Sequence, residues 1–533
     1  MSSKTLGVFI GILFLAVLLL FSGAPLRAQN AESGPEVIRA AHHDVSRPLR
    51  EIEPAIPSGL LREVPLRHPH PLKPISSQPD PVLQTVAISP LASVSAGSNF
   101  DGVGAGFVGP AGAFSVNAAP PDTNAAVGAT QIVQWVNTSF AVFDKTTGTA
   151  TLGPVAGNTL WSGFGGPCET SNDGDIIAQY DKAAGRWVLA QPVFTSPFFY
   201  CVAVSTTSDA TGSFNRFSFS MPNFPDYPKL GVWPDAYYAT FNMFSGNFFV
   251  GARACALDRA SMLSGSAASA VCFQLSSSFA SLLPSDLDGS TAPPAGSPNF
   301  LLDFGANSLN LFKFHVDFAT PSNSTFSGAT NLPVASFSEA CGGGACVPQS
   351  GTRQQLDSLG DRLMYRLPYR NLTTTGESLV VNHSVQVGSG GHHRSNQTGV
   401  RWYEIRNPNG TPAVFQQGTF APDSSFRWMG SMAMDKVGDI AVGYSVSSSQ
   451  IHPAIRFAVR VPGDPSGALE PEVSIIEGTG SQLRNLNRWG DYSSLAIDPV
   501  DDCTFWYTTE YLNSSGTFNW STRLGSFKIP SCQ

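Results

Sequence analysis

The feature that most constrains the fold is a pattern of short strands that repeats along the chain. Residues 431–435 form an apolar run that ends in Asp, and a polar turn and a second apolar run at 440–445 follow. Sixty-three positions later the same order returns, with residues 494–498, a turn and residues 505–508. Short runs rich in aromatic and β-branched residues, bounded by Gly, Asn, Asp and Pro, are typical of strands. The repeat therefore predicts an all-β fold built from similar units.

Looser copies of the unit fill the region between residue 118 and residue 532. A small sheet of this kind cannot bury both faces alone, so such units are expected to stack around an axis. Dividing the repeating region by seven gives about 59 residues per unit, close to the observed spacing, whereas six units would need about 69. We expect one β-propeller over residues 96–533, with seven blades and six as the fallback. An array of β-sandwiches is the alternative, and it predicts no equivalence between the Arg-Trp pairs at Arg427 and Arg488.

The first 28 residues are organised as a secretion signal. Lys4 supplies the positive start, residues 6–21 are almost entirely apolar, and Ala28 suits cleavage by a signal peptidase. An N-terminal membrane anchor is the alternative, but no polar stop-transfer pattern follows the apolar run. We therefore expect a secreted protein, periplasmic or extracellular, with no transmembrane span after cleavage.

Residues 29–95 are rich in Pro and poor in aromatic residues, and the densest patch is Arg-His-Pro-His-Pro at 67–71. Such a segment buries too little apolar area to offset the entropy of ordering it. We interpret it as an extended leader or linker, and its histidines, His42, His43, His68 and His70, as solvated rather than metal-binding.

The eight cysteines, an even number, agree with export. Their spacing favours pairing between neighbours, so that each bridge closes one blade or loop. A zinc site is the alternative, but the chain has no Cys-x-x-Cys motif and no His at ligand spacing beside a cysteine pair. The predicted bridges are Cys168–Cys201, Cys255–Cys272, Cys341–Cys346 and Cys503–Cys532.

Charge and motifs exclude several functions. The formal net charge is −8 and no long basic run occurs, so nucleic acid is not an expected partner. The sequence has no Gly-x-Ser-x-Gly, no His-Glu-x-x-His and no P-loop, which removes the usual support for serine hydrolases, zinc proteases and NTPases. We expect a monomer.

Charged residues precede several predicted inner strands. Because the inner strands of a propeller all run in one direction along the axis, their first residues meet at one channel mouth. The alternative is that each Asp caps a turn and each Arg packs on its neighbouring Trp or pairs with a carboxylate of its own blade. The candidates for this mouth are Asp122, Asp226, Asp361, Asp491, Arg362, Arg427 and Arg488, with Tyr492 or Trp489 beside them.

One segment has the composition of a calcium loop. Residues 172–175 read Asn-Asp-Gly-Asp, which makes Asp173 and Asp175 candidate ligands. The Glu that an EF-hand needs at its twelfth position is absent. Calcium is the only cofactor that the sequence suggests.

Four motifs carry a resemblance to a known family. Residues 224–229 (Phe-Pro-Asp-Tyr-Pro-Lys), 233–238, 361–366 and 489–493 resemble secreted bacterial proteins with a sialidase-like propeller, most of which have no assigned activity. The resemblance covers about residues 99–532. Sialidases carry an arginine triad, a Tyr nucleophile paired with Glu, and Asp boxes. Here residues 285–291 have the residue types of an Asp box at the wrong spacing, so sialidase activity itself is not expected.

Two classes of function follow. The first is a secreted propeller that binds a glycan or a cell-surface protein through one channel mouth. The alternative is a glycan-active enzyme, either a glycoside hydrolase or a polysaccharide lyase, that uses the Asp, Arg and Tyr residues of that mouth. His383, on a predicted strand, is either a lyase base or a core histidine.

The compartment can be tested directly. If residues 1–28 are a cleaved signal, exported protein begins near Gln29 and its intact mass is lower by the mass of those residues. Mass spectrometry that finds Met1 retained in exported protein would contradict the prediction.

Overall fold

The computed structural model describes residues 1, 34–55, 60–85, 88–388 and 397–533, so nearly all of the predicted signal peptide lies outside the described residues. The chain is all-β. Its helices are short: α1 (Gly166–Thr170), α2 (Arg259–Ser264) and 3-10 turns at Leu49–Glu51, Gly157–Trp161, Pro321–Asn323 and Ala340–Gly343. Within the described ranges, no helix is both long enough and apolar enough to cross a membrane.

The N-terminal part of the chain consists of short, separated strands. They are β1 (Glu36–Arg39), β2 (His42–Val45), β3 (Arg62–Glu63), β4 (Leu83–Gln84), β5 (Ser95–Asp101), β6 (Val108–Gly109), β7 (Gly112–Ala113) and β8 (Ala118–Ala119).

Four sheets of four antiparallel strands follow in chain order. The first contains β9 (Asn124–Val127), β10 (Gln131–Val136), β11 (Ser139–Asp144) and β12 (Ala150–Ala156). The second contains β13 (Ile177–Asp181), β14 (Arg186–Val193), β15 (Phe199–Ser205) and β16 (Phe214–Ser220). The third contains β17 (Phe224–Val232), β18 (Ala236–Ser245), β19 (Phe248–Asp258) and β20 (Ser269–Gln274). The fourth contains β21 (Leu283–Leu287), β22 (Asn299–Gly305), β23 (Ser308–His315) and β24 (Thr325–Pro333).

Three further sheets complete the chain, after a short ribbon of β25 (Ala345–Val347) and β26 (Leu356–Asp357). The fifth contains β27 (Leu367–Leu372), β28 (Gly376–Gln386), β29 (Thr398–Arg406) and β30 (Ala413–Phe420). The sixth contains β31 (Phe426–Met434), β32 (Ile440–Ser447), β33 (Ala454–Arg460) and β34 (Val473–Ile476). The seventh has three strands of its own, β35 (Ser494–Ile497), β36 (Thr504–Tyr511) and β37 (Ser521–Lys528).

Strands from the N-terminal part extend these sheets. β5 pairs antiparallel with β37 and so provides the fourth strand of the seventh sheet. β1 adds to the third sheet, β2 to the second and β4 to the fifth. In addition, β21 pairs in parallel with β27, which joins the fourth and fifth sheets edge to edge.

The 63-residue repeat corresponds to two adjacent first strands. Residues 431–434 lie in β31 and residues 494–497 form β35, and the Leu495 N–H donates to Ser431 Oγ at 3.0 Å. The first strands contact one another in chain order, from β9 through β13, β17, β21, β27 and β31 to β35, and β35 contacts β9. The repeated motif therefore marks the strands along which neighbouring sheets meet.

The core lies between the sheets. Strands β14 and β18 are buried at nearly every position, because both faces of their sheets are covered. Between the third and fourth sheets, for example, Phe273 packs edge-on against Phe314 with ring centroids 5.2 Å apart. Each such side chain contributes about 1.5–3 kcal/mol on burial.

The chain contains the four disulfides that the cysteine spacing predicts, Cys168–Cys201, Cys255–Cys272, Cys341–Cys346 and Cys503–Cys532. Cys255 and Cys272 face each other across β19 and β20. Cys532 ties the last residues of the chain to the start of β36.

The leader is extended, but its described strands β1, β2 and β4 pair with the sheets. Pairing along a sheet edge uses backbone N–H and C=O groups, so it needs few apolar side chains. A small number of leader side chains are nevertheless buried, among them Leu49 and Val64. The domain boundaries at residues 28 and 95 remain predictions.

The length of the loop that each disulfide closes predicts how much that disulfide contributes to stability. Replacing Cys503 and Cys532 by Ser frees a long loop, with a sequence separation of 29, and should lower the free energy of unfolding by about 3.5 kcal/mol. The same change at Cys341 and Cys346, with a separation of 5, should cost about 2 kcal/mol. Urea unfolding of the two variants checks the order, and equal or reversed losses would contradict it.

Candidate functional site

Four of the aspartates that begin repeat units come together at one end of the first strands. Asp122 and Asp175 precede β9 and β13, Asp226 lies near the start of β17, and Asp491 precedes β35. Their exposed fractions lie between 0% and 7%. We call these four residues the acidic cluster.

Aromatic and cationic side chains connect the members of the acidic cluster. The Tyr227 N–H donates to Asp175 Oδ2 at 3.1 Å. Lys229 Nζ lies 3.4 Å from the centre of the Tyr227 ring and 4.1 Å from that of Tyr492. The Arg362 guanidinium lies 4.5 Å from the Tyr227 ring centre. Residues of the second, third and seventh sheets, and of the loop before the fifth, therefore share one site.

The backbone at this site repeats around the molecule. Asp122, Asp175, Tyr227 and Asp491 have left-handed φ angles of 46°, 51°, 51° and 57°. Ser281, Leu359 and Met429 have similar values of 51°, 45° and 56° and precede or begin the first strands of the other three sheets. A left-handed φ angle is uncommon for a residue other than Gly. Here such a residue is associated with the first strand of every sheet, so it is a property of the repeat and not of the acidic cluster alone.

Burial holds protons on the acidic cluster. Neither carboxyl oxygen of Asp122 has a hydrogen-bond partner among the residues that the structure describes. Burial, and then the charges of Asp491 and Asp175, raise the pKa of Asp122 well above its usual value. Burial and Asp491 likewise raise the pKa of Asp175. Burial and the charge of Asp175 raise the pKa of Asp226 to about 8. Asp226 therefore keeps its proton at neutral pH.

One buried lysine faces these carboxyls. Lys229 is 1% exposed, and its Nζ donates to the Pro228 carbonyl at 2.8 Å. Burial lowers the pKa of Lys229 to about 7, although Asp175 and Asp122 oppose the shift. Lys229 lies in β17 three residues after Asp226, and that spacing was the sequence signal for a role at the site, although Lys229 is not among the predicted site residues.

Two of the three predicted arginines reach the site, and each pairs with a carboxylate of its own loop. Arg362 donates through Nε to Asp361 at 2.7 Å, and Arg488 donates to Asp491. Burial alone would raise the pKa of Asp361, but Arg362 and the hydrogen bond with His68 lower it below its usual range. Asp361 thus lies beside Arg362, at the edge of the acidic cluster.

Arg427 does not belong to this site, and its prediction was wrong. Its guanidinium pairs with Asp423 at 2.9 Å and with Glu472 at 2.8 Å, beside the sixth sheet. Arg427 lies within the paired part of β31, opposite Val446, whereas Arg488 lies in a loop before β35. The two Arg-Trp pairs are therefore not equivalent in position.

Of the two aromatic residues predicted beside the mouth, Trp489 belongs to the core. It is 0% exposed, and its indole N–H donates to Ser445 Oγ at 3.1 Å. Tyr492 lies at the acidic cluster but is fully buried, and its hydroxyl donates to the Ile176 carbonyl at 2.8 Å. All nine tryptophans of the chain are buried, so none offers an exposed surface for a ligand.

The two calcium candidates do not converge. Asp173 accepts the Phe194 N–H at 2.9 Å and faces Arg62, whereas Asp175 lies in the acidic cluster. In the described part of the chain, no three His, Cys, Asp or Glu side chains are arranged to hold a metal ion. His383 is a buried core residue, and its Nε2 lies 3.0 Å from the Tyr403 hydroxyl.

The leader crosses the acidic cluster. The Val64 carbonyl accepts from Arg488, and the Arg67 carbonyl accepts from Arg362 at 3.3 Å. His68 Nδ1 lies 2.9 Å from Asp361 Oδ2, so His68 is not the solvated histidine that the sequence predicted. These contacts keep the acidic cluster out of solvent.

A cavity of about 460 Å³ lies beside this part of the leader. It lies between the leader and the fourth and fifth sheets, and its walls include His70, Lys73, Asp303, Asp361 and Arg362. Because Asp361 and Arg362 border both spaces, the cavity reaches the edge of the acidic cluster.

The opposite end of the first strands is also charged, but its charges are paired. Arg366 pairs with Asp286 at 3.4 Å, and both Arg366 and Lys182 pair with Asp288. Asp435 and Asp439, in the turn after β31, are exceptions, because each has one buried carboxyl oxygen without a hydrogen-bond partner among the described residues.

Comparison with known proteins gives no family. No known protein family and no curated protein matches the sequence. The resemblance to sialidase-like proteins therefore remains a prediction.

Several solved structures align with this chain at low sequence identity. An endo-arabinase from Bacteroides thetaiotaomicron is 9% identical over 67% of this chain and 93% of its own, with a TM-score of 0.27. An α-L-arabinofuranosidase from Fusarium graminearum is 11% identical over 82% of this chain and 99% of its own, with a TM-score of 0.34. An α-L-arabinofuranosidase from Lactobacillus brevis is 11% identical over 66% and 89%, with a TM-score of 0.28. These values are too low to support an argument about activity.

The raised pKa of Asp226 predicts how stability depends on pH. Between pH 3.8 and about 8 the folded chain holds this proton and the unfolded chain does not. The free energy of unfolding therefore falls as pH rises through this window. Asp226→Asn removes the titration, so its melting temperature relative to the wild type should increase from about pH 5 to about pH 8.

Asp144→Asn is the matched control. Hydrogen bonds from Thr147 lower the pKa of Asp144, so its contribution is already complete above its unfolded value and does not change over that window. Scanning calorimetry at the two pH values measures both variants. A constant difference between Asp226→Asn and the wild type would contradict the proton assignment.

Proposed function

We propose that this chain is a secreted seven-bladed β-propeller that hydrolyses a glycan at the acidic cluster. The contact between β35 and β9 supports closure, because it completes a ring of seven first strands. The pairing of β5 with β37 also supports closure, since it links the N-terminal side of the repeat region to its last sheet. The left-handed residue associated with each first strand favours seven units over six.

Two features support secretion. The four disulfides persist in oxidising compartments, outside the cytosol. The apolar N-terminal run adds the signal that export requires.

The observation that carries the proposed activity is a protonated Asp226 in the same cluster as Asp491, which has a carboxyl oxygen without a hydrogen-bond partner among the described residues. Asp226 keeps its proton up to about pH 8, which suits a general acid at neutral pH. Asp491 pairs with Arg488, and its Oδ1 has no hydrogen-bond partner among the described residues, so this oxygen is available to accept a proton from water. An acid and a base in one cluster are what glycoside hydrolysis requires.

In the proposed reaction, Asp226 gives its proton to the oxygen of the glycosidic bond as the bond from that oxygen to the anomeric carbon breaks. Asp491 takes a proton from a water molecule, whose oxygen forms the new bond to the anomeric carbon. The products are two sugar chains, one with a new reducing end and one with a new hydroxyl. Proton transfer from Asp491 to Asp226 restores the starting state.

The other charged side chains have supporting roles in this proposal. Arg488 orients Asp491 through the hydrogen bond that it donates. Lys229 lies close enough to Asp175 and Asp122 to balance part of their charge. Arg362 fixes Asp361 at the side of the adjoining cavity.

Binding without cleavage is the second candidate function, with a glycan or a cell-surface protein as the ligand. It is favoured by the carboxyl oxygens of Asp122 and Asp491 that have no hydrogen-bond partner among the described residues, because such atoms can hold a ligand without any proton transfer. The burial of all nine tryptophans counts against a binding face built on aromatic stacking.

The test is release of reducing ends from amino, neutral and acidic polysaccharides. We use the full chain with its leader either native or loosened by Arg67→Ala/His68→Ala. Asp226→Asn should lower the rate about 10²–10⁴-fold, because a general acid contributes a factor of that size. Asp435→Asn is the matched control, since burial and Asp439 raise the pKa of this sixth-sheet aspartate to about 7 and it lies outside the acidic cluster. Its rate should equal that of the wild type.

Binding of a polysaccharide with no product from any of the proteins would overturn the hydrolase proposal and leave the binding function. Equal rates for Asp226→Asn and Asp435→Asn would show that Asp226 is not the acid.

A further inference from the structure

The leader segment that crosses the acidic cluster is basic. Residues 62–73 contain Arg62, Arg67, Lys73 and two histidines, and Glu63 is their one acidic residue. Three of these residues pair with carboxylates of the sheets and loops below. The pairs are Arg62–Asp173 at 3.7 Å, His68–Asp361 at 2.9 Å and Lys73–Glu339 at 2.6 Å. The segment and the surface that it covers are therefore complementary in charge.

Arg67 occupies a site that suits a cation. Its guanidinium lies 4.3 Å from the ring centre of Phe224 and 5.3 Å from that of Phe244, and it donates to the Gly246 carbonyl at 3.0 Å. Its charge also acts on Asp226 of the acidic cluster. Aromatic faces beside carboxylates are a recurrent arrangement for binding ammonium groups.

The acidic cluster retains unused acceptors even with the leader in place. Both oxygens of Asp122 and Oδ1 of Asp491 are buried and have no hydrogen-bond partner in the described ranges. Such orphaned acceptors are costly unless a ligand satisfies them. They point to a ligand that brings hydrogen-bond donors, as amino and hydroxyl groups do.

We propose that residues 62–73 are an internal plug, and that Arg67 and His68 occupy the places of the cationic groups of the ligand. The ligand is a glycan that carries amino groups, such as a glucosamine oligomer. This inference rests on the proposed function in taking the ligand to be a glycan.

Charge explains the choice of ligand. Release of the plug removes Arg62, His68 and Lys73 from Asp173, Asp361 and Glu339. The uncovered surface then loses three basic side chains and becomes more negative, which favours an amino sugar over a uronate. The adjoining cavity of about 460 Å³ is within the usual size of small-molecule sites and gives room for further sugar units beside Asp361.

The test uses the full chain carrying Arg67→Ala/His68→Ala. Its control is Arg47→Ala/Arg50→Ala, which removes two exposed leader arginines that contact Glu51 and Asp209, far from the acidic cluster. Calorimetry measures binding of a glucosamine hexamer, a neutral cellohexaose and an oligogalacturonate. Hydrogen exchange of the amides in residues 62–73 measures opening of the plug independently of any ligand.

We expect faster exchange across residues 62–73 in the plug variant and at least tenfold tighter binding of the glucosamine hexamer, with no comparable gain for the other two glycans. The control should match the wild type. A synthetic peptide of residues 62–73 should compete with the hexamer for the plug variant.

Unchanged exchange would overturn the plug, because the two side chains would then not hold the segment. Faster exchange with no gain for the glucosamine hexamer, or an equal gain for the oligogalacturonate, would overturn the ligand class. Tighter binding of the hexamer without its cleavage would support this inference while contradicting the hydrolase, so the two proposals can fail separately.

Discussion

The structure depends on covering both faces of each small sheet. Four strands of about six residues expose two apolar faces, and neither face can be left in water without losing most of the free energy that holds the fold together. Strands such as β14 and β18 are therefore buried along nearly their whole length, rather than at alternate positions. Each sheet must pack on a neighbour at both sides, and the succession of first-strand contacts is the result.

This packing buries polar residues at the starts of the first strands. These residues are brought together and cut off from water, which is unfavourable unless they find partners. At the opposite end of the strands the molecule resolves the difficulty with ion pairs, such as Arg366 with Asp286. At the acidic cluster it does not, and Asp122 remains buried without a partner among the described residues. Carboxyls with strongly shifted pKa values at the edge of a cavity are typical of functional sites.

The leader is held in place by its pairing with the sheets, and this pairing positions its charged side chains. Because its short strands pair through the backbone, a Pro-rich segment with few apolar side chains is ordered along the sheets. That order carries Arg67 and His68 to the acidic cluster, where their charges have counterparts. A segment that composition alone assigns to a linker thus acquires specific contacts.

Local information was sufficient for much of the fold. The spacing of the apolar runs predicts strands, and the repetition of these runs predicts equivalent sheets. Cysteines that are neighbours along the chain pair with one another, because each bridge closes a short stretch of chain. The same logic places Asp122, Asp175 and Asp491 at equivalent positions, with Asp226 one residue before the equivalent Tyr227. The sequence could not separate Arg427 from Arg488, because their surroundings along the chain are alike.

What only the tertiary structure decided depends on contacts between distant residues. Arg427 pairs with Glu472, which lies beside it because β34 follows β33 in the sixth sheet. The leader meets the loops before the fifth and seventh sheets hundreds of residues away, as in the contact of Val64 with Arg488. The burial of Lys229 likewise follows from the stacking of sheets, not from its own strand. Sequence determined the repeating unit because hydrogen bonds and apolar period act locally, whereas the charges at the site depend on which units face one another, and that is fixed only when the sheets pack.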